Sequence, residues 1–231
     1  MHLTFRRHSL TSLTLFAASL LACHPAPVEA QQDPGDVTRL TEHLQLRPGM
    51  HVAEIGAGAG SLTVEIAQAV GPEGHVFSNE IDPGRHGAIR SAVEKAGLSN
   101  VTIVESGAAD ANLPAACCDA LFMRNVYHHF DDPGAMNASL FRAMKPGARI
   151  AIIDFPPRGG QEADTPGDRD QGNAHGVSTA SIERELRAAG FELVMTEQQR
   201  GDRWFMVVGR KPPGRRVSQC VRRNAMRSAT S

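Results

Sequence analysis

The sequence predicts an α/β fold: a mostly parallel sheet covered by helices on both faces. Three observations carry this. Short apolar runs alternate with stretches of helical period between Val37 and Gly190. Seven of the runs are candidate strands. The first run leads directly into a glycine-rich turn, Gly56-Ala57-Gly58-Ala59-Gly60, as the opening βα unit of such a sheet does.

The elements follow in order. Val37, Leu40 and Leu44 share one helical face, and Arg47-Pro48-Gly49 is a turn. Residues 50–55 are a strand, and Leu62, Ile66 and Val70 mark the helix behind the glycine turn. A second turn, Gly71-Pro72-Glu73-Gly74, precedes a strand over 75–78 and a helix over 85–96, ended by Gly97. Residues 101–104 and 120–123 are the third and fourth strands, with Cys117 and Cys118 as small residues near the start of the fourth. Met136, Leu140 and Met144 place a helix over 133–144, Lys145-Pro146-Gly147 stops it, and 149–155 is the fifth strand. Residues 156–176 are rich in Pro, Gly and Asp and read as a long loop. Ile182, Leu186 and Ala189 lie on a helix opened by Ser178 or Ser181 and closed by Gly190. Strands over 191–196 and 203–208 end the series.

Composition narrows the function. The net charge of −1 excludes a chain that holds nucleic acid by bulk electrostatics, and one Trp (Trp204) and one Tyr (Tyr127) exclude a stacking platform for single strands. The first 30 residues read as a secretory signal: Arg6-Arg7-His8, then an uncharged apolar stretch too short to span a membrane with margin. Cleavage falls either before Cys23, as in a lipoprotein, or after Val28-Glu29-Ala30. The expectation is export, periplasmic or lipid-anchored. An uncleaved anchor, or a mis-assigned start that leaves the chain cytoplasmic, is the alternative. Residues 31–36 read as a linker, 37–211 as the catalytic domain, and 212–231 as a basic disordered tail containing Cys220.

In an open parallel sheet, ligands bind beyond the carboxyl ends of the strands. Those ends here carry Glu54 with Gly56, Gly58 and Gly60; Asn79-Glu80; residues 106–110; and Arg124-Asn125-Val126-Tyr127-His128-His129. Glu80 falls 20 residues after Gly60 and suits the two hydroxyls of a ribose. The spacing Gly-x-Gly-x-Gly, with Glu54 just upstream, disfavours a dinucleotide-binding dehydrogenase, because an acid sits poorly beside a pyrophosphate. It sits well beside an ammonium group, or as an anchor for the loop's own amides.

Val52-Ala53-Glu54-Ile55-Gly56-Ala57-Gly58-Ala59-Gly60 resembles motif I of the class I S-adenosylmethionine-dependent methyltransferases. Phe77-Ser78-Asn79-Glu80-Ile81-Asp82-Pro83 resembles that family's next motif, and Gly107-Ala108-Ala109-Asp110-Ala111-Asn112-Leu113-Pro114 resembles its adenine segment with one extra residue. Leu140-Phe141-Arg142-Ala143-Met144-Lys145-Pro146-Gly147, followed by residues 150–155, resembles the small-molecule enzymes, including those of quinone biosynthesis. The resemblance implies a Rossmann-like sheet of seven strands with the last antiparallel, and S-adenosyl-L-methionine as cofactor. The contacts it implies are Glu54, Gly56, Ala57, Gly58, Gly60, Glu80 for the ribose, Ile81, either Ala109 or Asp110 for the adenine amino group, and Asn125 for the methionine part.

A transferred methyl group arrives already activated, so the protein mainly positions the acceptor and supplies a base only where the acceptor loses a proton. Candidates are His128, His129, Asp154 and His175, with Tyr127 orienting the acceptor or facing the sulfonium. The plainer alternatives are a capping or packing role for the histidine pair, loop anchoring for Asp154 and solvation for His175. Arg124 either meets an anionic acceptor or pairs with Asp119 or Asp110. No ligand spacing supports a metal. The expected partner is a small-molecule acceptor. Two other readings stand beside it: a protein-directed methyltransferase of the isoaspartate type, suggested by Gly74-His75-Val76-Phe77-Ser78 and Ala96-Gly97-Leu98-Ser99-Asn100-Val101, and a non-catalytic exported cofactor-binding protein.

Overall fold

The computed structural model describes residues 35–198 and 204–214. The signal segment, most of the linker and nearly all of the basic tail lie outside the described residues. Seven strands form one sheet: β1 (His51–Ile55), β2 (His75–Glu80), β3 (Val101–Glu105), β4 (Cys118–Arg124), β5 (Met144–Asp154), β6 (Glu192–Gln198) and β7 (Phe205–Arg210). Their order is β3-β2-β1-β4-β5-β7-β6. β1 to β5 pair in parallel, and β7 runs antiparallel to both neighbours. This is the expected Rossmann-like sheet with an antiparallel last strand.

Its helices are α1 (Gly35–Leu44), α2 (Ser61–Val70), α3 (His86–Lys95), α4 (Pro133–Ala143) and α5 (Thr179–Ala188). Strand side chains alternate between two apolar layers. Val52, Ala120, Phe122, Ala151, Ile153 and Val208 pack with Leu40 and Leu44 of α1 and Leu62, Ile66 and Val70 of α2. Ala53, Leu121, Met123, Ile150, Ile152 and Val207 pack with Leu140 of α4 and Ile182 and Leu186 of α5. Burial on both faces makes residues 120–123 of β4 and 150–153 of β5 continuous apolar runs.

Local chemistry sets the helix ends. Asp132 caps α4 by accepting the Ala135 amide at 2.9 Å, with Pro133 at the first helical position. Ser178 caps α5 by accepting the Ser181 amide at 3.1 Å, which selects Ser178 over Ser181 as the opening residue. Two boundaries differ from expectation. α1 begins at Gly35, inside the segment read as linker. β5 begins at Met144, directly where α4 ends, because Lys145-Pro146-Gly147 bulges within the strand and does not precede it: Cys118 pairs with Met144, but Ala120 already pairs with Arg149. The Lys211 carbonyl accepts the Gly147 amide at 2.9 Å and holds the bulge. Among the described residues no helix is long and apolar enough to cross a membrane.

The sheet order reverses direction between β1 and β4. The ends of β1, β2, β4 and β5 therefore open a crevice at Ile55, Glu80, Arg124 and Asp154.

Candidate active site

The glycine turn leaves β1 and enters α2 at this crevice. Its amides are spent inside the protein. The Asn79 carbonyl accepts Gly56 N–H at 2.8 Å and Ala57 N–H at 3.0 Å, and the Ala57 carbonyl accepts Gly60 N–H at 2.9 Å. Glu80 Oε2 accepts Gly58 N–H at 2.7 Å. A pyrophosphate needs several free loop amides; this turn has committed four. The glycines are required for different reasons. Gly56 has φ +72°, and a Cβ there would stand 2.3 Å from a Val126 methyl. At Gly58 the φ of +58° strains any side chain, and an added Cβ would meet only the Arg85 guanidinium, at 3.6 Å.

Glu80 ends β2 and is buried. Its Oε1 accepts the Asp82 amide at 3.0 Å. With Gly58 on the other oxygen, two of about four acceptor positions on the carboxylate are filled and the rest remain for a diol. Next to it, Ile81 is one of two exposed large apolar side chains among the described residues, the other being Val194. Asn79 is buried, and its amide group donates to the Ala111 carbonyl at 2.7 Å. It thereby ties the glycine turn to the segment after β3. Sequence reading passed over this tie; the signal for it was a polar residue in an otherwise buried strand.

Glu54 is buried beneath the turn and accepts the Thr63 hydroxyl, which lies 2.8 Å from Ser78 Oγ. It does not anchor the loop amides, as one alternative expected; Asn79 and Glu80 do that. Burial, with the Glu80 charge adding to it against the Thr63 hydrogen bond, raises the Glu54 pKa to about 8. The folded protein therefore holds a proton that the unfolded chain, at 4.5, has released. Stability from this group is complete below the unfolded value and is lost as pH rises toward 8, with a slope of up to ~1.4 kcal/mol per pH unit. Urea unfolding between pH 5 and 8 is expected to show this decline, and Glu54→Gln to flatten it.

Asp110 takes a different place from the expected one. Its carboxylate receives the Asn112 amide at 2.8 Å and the Arg142 guanidinium at 2.8 and 2.9 Å, and these hold it below the ordinary carboxylate range. That acid is already engaged, which leaves the exposed backbone at Ala109 as the adenine-side candidate. Asn125 follows β4 with φ +58°; its amide donates to the Ile153 carbonyl, and its buried Oδ1 has no hydrogen-bond partner. A buried acceptor without a donor at a crevice fits a cationic or N–H-bearing ligand group.

Three other expectations change. Tyr127 is fully buried. Its hydroxyl donates to Glu185 at 3.0 Å and accepts from Asn137 at 2.7 Å, and burial with the Glu185 charge pushes its pKa upward. It cannot orient an acceptor from there. Arg124 pairs with Asp36 of α1 at 2.5 Å and lies over the Trp204 ring, while the partners expected for it bind elsewhere: Asp119 holds Lys145 and Asp110 holds Arg142. His175, a candidate base whose plainer alternative was solvation in the loop, joins His128. Asp154 is buried and accepts from His128 Nδ1 at 2.8 Å, from the His128 amide at 3.3 Å and from the Phe155 amide at 2.9 Å. His128 Nε2 lies 3.2 Å from His175 Nε2. His129 is exposed beside them, 4.0 Å from the His128 ring between centroids. Desolvation, then His128, lowers the pKa of both His129 and His175. Among the described residues no group of three or more His, Cys, Asp or Glu side chains is arranged to hold a metal ion.

The sheet order and the glycine turn over a buried ribose-type acid define a nucleoside-binding α/β domain of the methyltransferase kind. Residues 52–147 match the family described as "Methyltransferase domain". Over those residues the chain has a SAM-dependent methyltransferase domain, and S-adenosyl-L-methionine is the cofactor of that family. A ubiquinone/menaquinone biosynthesis C-methyltransferase of Vibrio vulnificus is 29% identical over 110 residues, covering 47% of this chain and 42% of the relative. A protein-L-isoaspartate O-methyltransferase of Ignicoccus hospitalis is 33% identical over 102 residues, covering 43% of this chain and 48% of the relative. The matches thus span less than half the length of these curated relatives. A crystal structure of a SAM-dependent methyltransferase from Aquifex aeolicus superposes with a TM-score of 0.65 at 26% identity, over 77% of this chain and 93% of the other.

Proposed function

We propose that this chain transfers a methyl group from S-adenosylmethionine to a small-molecule acceptor held beyond the ends of β4 and β5. The observation that carries the cofactor half is the turn at 56–60: four of its amides are satisfied internally, a Cβ at Gly58 would meet only the Arg85 guanidinium, and Glu80 keeps acceptor positions free beside it. When bound, the cofactor supplies an activated methyl group on a sulfonium. Glu80 would hold the ribose hydroxyls, Ile81 would cover an adenine face, and Asn125 Oδ1 would accept from the amino-acid end. The small-molecule reading rests on the similarity to the quinone-pathway enzyme and on the resemblance through Lys145-Pro146-Gly147. The isoaspartate reading keeps a place because a relative with that activity is 33% identical over its matched segment.

Calorimetric titration of S-adenosylmethionine into the protein tests the site. Binding at micromolar to low-millimolar affinity is expected. Gly58→Val should abolish it, because φ +58° strains a β-branched residue and reshapes the turn, while the core is spared: an added Cβ would meet only the Arg85 guanidinium. Unchanged affinity in that variant would refute the placement. Labelled methyl transfer to menadiol, compared with an isoaspartyl peptide, separates the two acceptor readings: label in the peptide alone overturns the small-molecule one.

A further inference from the structure

We infer that Asp154, His128 and His175 form a proton relay whose outer end, His175 Nδ1, is the base that takes a proton from the acceptor. This deepens the proposed methyltransferase function and rests on it. An ionised carboxylate only accepts hydrogen bonds, so the 2.8 Å contact with Asp154 places a proton on His128 Nδ1. In neutral His128, Nε2 is then a lone pair. The 3.2 Å contact between the two Nε2 atoms consequently places a proton on His175 Nε2. That leaves a lone pair on His175 Nδ1, which makes no hydrogen bond to the described residues. His128 and Asp154 are buried, and His175 is the partly exposed member.

The loop at 156–176 is built to hold His175 at this point. Its returning arm lies against its outgoing arm: the His175 carbonyl accepts Arg158 N–H at 3.1 Å, the Asn173 carbonyl accepts Gly159 N–H at 2.7 Å, and the Phe155 carbonyl accepts Val177 N–H at 3.0 Å. At Gly176, φ +126°, a Cβ would lie 2.7 Å from the Pro156 carbonyl oxygen, so only glycine permits the arms to close. The groups that face His175 are His128, Arg158, Asp154 and Asp170, with the His129 ring 6.3 Å away between centroids. Desolvation, His128 and Arg158 outweigh the two aspartates and keep His175 neutral at neutral pH.

The step balances as follows. The acceptor X–H bond breaks and its proton goes to His175 Nδ1. The electron pair on X forms the new X–CH3 bond, and the C–S pair stays with sulfur, which ends as a neutral thioether. His175 passes its Nε2 proton to His128 Nε2, so the positive charge settles beside the Asp154 carboxylate. Such a relay serves an acceptor that loses a proton on methylation: a hydroxyl, an N–H or an acidified C–H. It serves no purpose for a tertiary amine or a thioether.

Two measurements on the full chain test this. Long-range 15N–1H spectra of the cofactor-free protein read the imidazoles directly. His128 is expected to keep its proton on Nδ1, and Asp154→Asn is expected to move the His175 midpoint by on the order of one pH unit, although Asp154 does not touch that ring. An unmoved midpoint overturns the relay, and because no cofactor is present this failure is distinct from failure to bind S-adenosylmethionine. Labelled methyl transfer is then offered to catechol, menadiol and N,N-dimethylaniline. Label in catechol or menadiol is expected, with His175→Gln lowering kcat about 100-fold or more, abolishing the acid limb of the pH profile and leaving cofactor affinity within about twofold. Label in dimethylaniline, label in none of the three while the cofactor binds, or a wild-type rate in His175→Gln overturns the assignment.

Discussion

Glu80→Ala is expected to weaken S-adenosylmethionine binding by about 100-fold or more. Hydrogen bonds to a charged partner contribute roughly 1.5–3 kcal/mol each, and a ribose diol would lose two of them. The same change releases the Gly58 and Asp82 amides, so the turn loses its tie to β2 as the ligand loses its partner. Glu80→Gln keeps an acceptor oxygen but has no charge, so its affinity should fall between wild type and alanine. Stability should change far less than affinity, since Gly58 is only half-buried and Asp82 is exposed, so the freed amides can turn to water. Calorimetry on the three proteins reads the series. An alanine variant that binds within threefold of wild type would remove Glu80 from the site.

The position of Glu80 was legible because it belongs to a repeating βα pattern: a strand, an acid at its end and a glycine turn one βα unit earlier. The strands were legible for a related reason. Side chains buried on both faces leave apolar runs such as Ala120-Leu121-Phe122-Met123, which no surface element would carry. The start of β5 was not, because Lys-Pro-Gly reads as a stop, and only the pairing with β4 and the Lys211 carbonyl turn it into a bulge. The partners of charged groups were also hidden. Arg124 meets Asp36 from 88 positions away, and His128 meets Asp154 across 26 and His175 across 47. Those separations are closed by the topology, which no short-range pattern encodes. Tyr127 and His128 show the limit within a single turn. They are adjacent, yet Tyr127 points toward α5 and His128 toward Asp154. The sequence places both beside the acceptor, and the local turn at Tyr127–His129 sends them to different partners.

Glu185→Ala is expected to lower the unfolding free energy by about 3 kcal/mol. Glu185 accepts from Arg169 at 2.6 and 3.2 Å and from the Tyr127 hydroxyl at 3.0 Å. The Arg169 side chain is only 4% exposed, and its next carboxylate, Glu162, stands 3.8 Å away. Removing Glu185 strands a buried guanidinium, and breaking one side of a buried ion pair costs roughly 3–5 kcal/mol. Tyr127→Phe removes two hydrogen bonds, the one to Glu185 and the one from Asn137, and should cost about 2 kcal/mol. The larger loss has a functional consequence as well. The Arg169 carbonyl accepts the Gly176 amide at 2.8 Å, next to His175, so Arg169 links α5 to the loop that positions the proposed base. In Glu185→Ala the Gly176 and Val177 amides should exchange faster with solvent, while S-adenosylmethionine affinity stays within about twofold because the glycine turn does not use this network. Urea unfolding and hydrogen exchange measure the two effects separately. A loss below about 1 kcal/mol would mean that Glu162 alone satisfies Arg169, and slow exchange at Gly176 would mean that the loop holds His175 without help from α5.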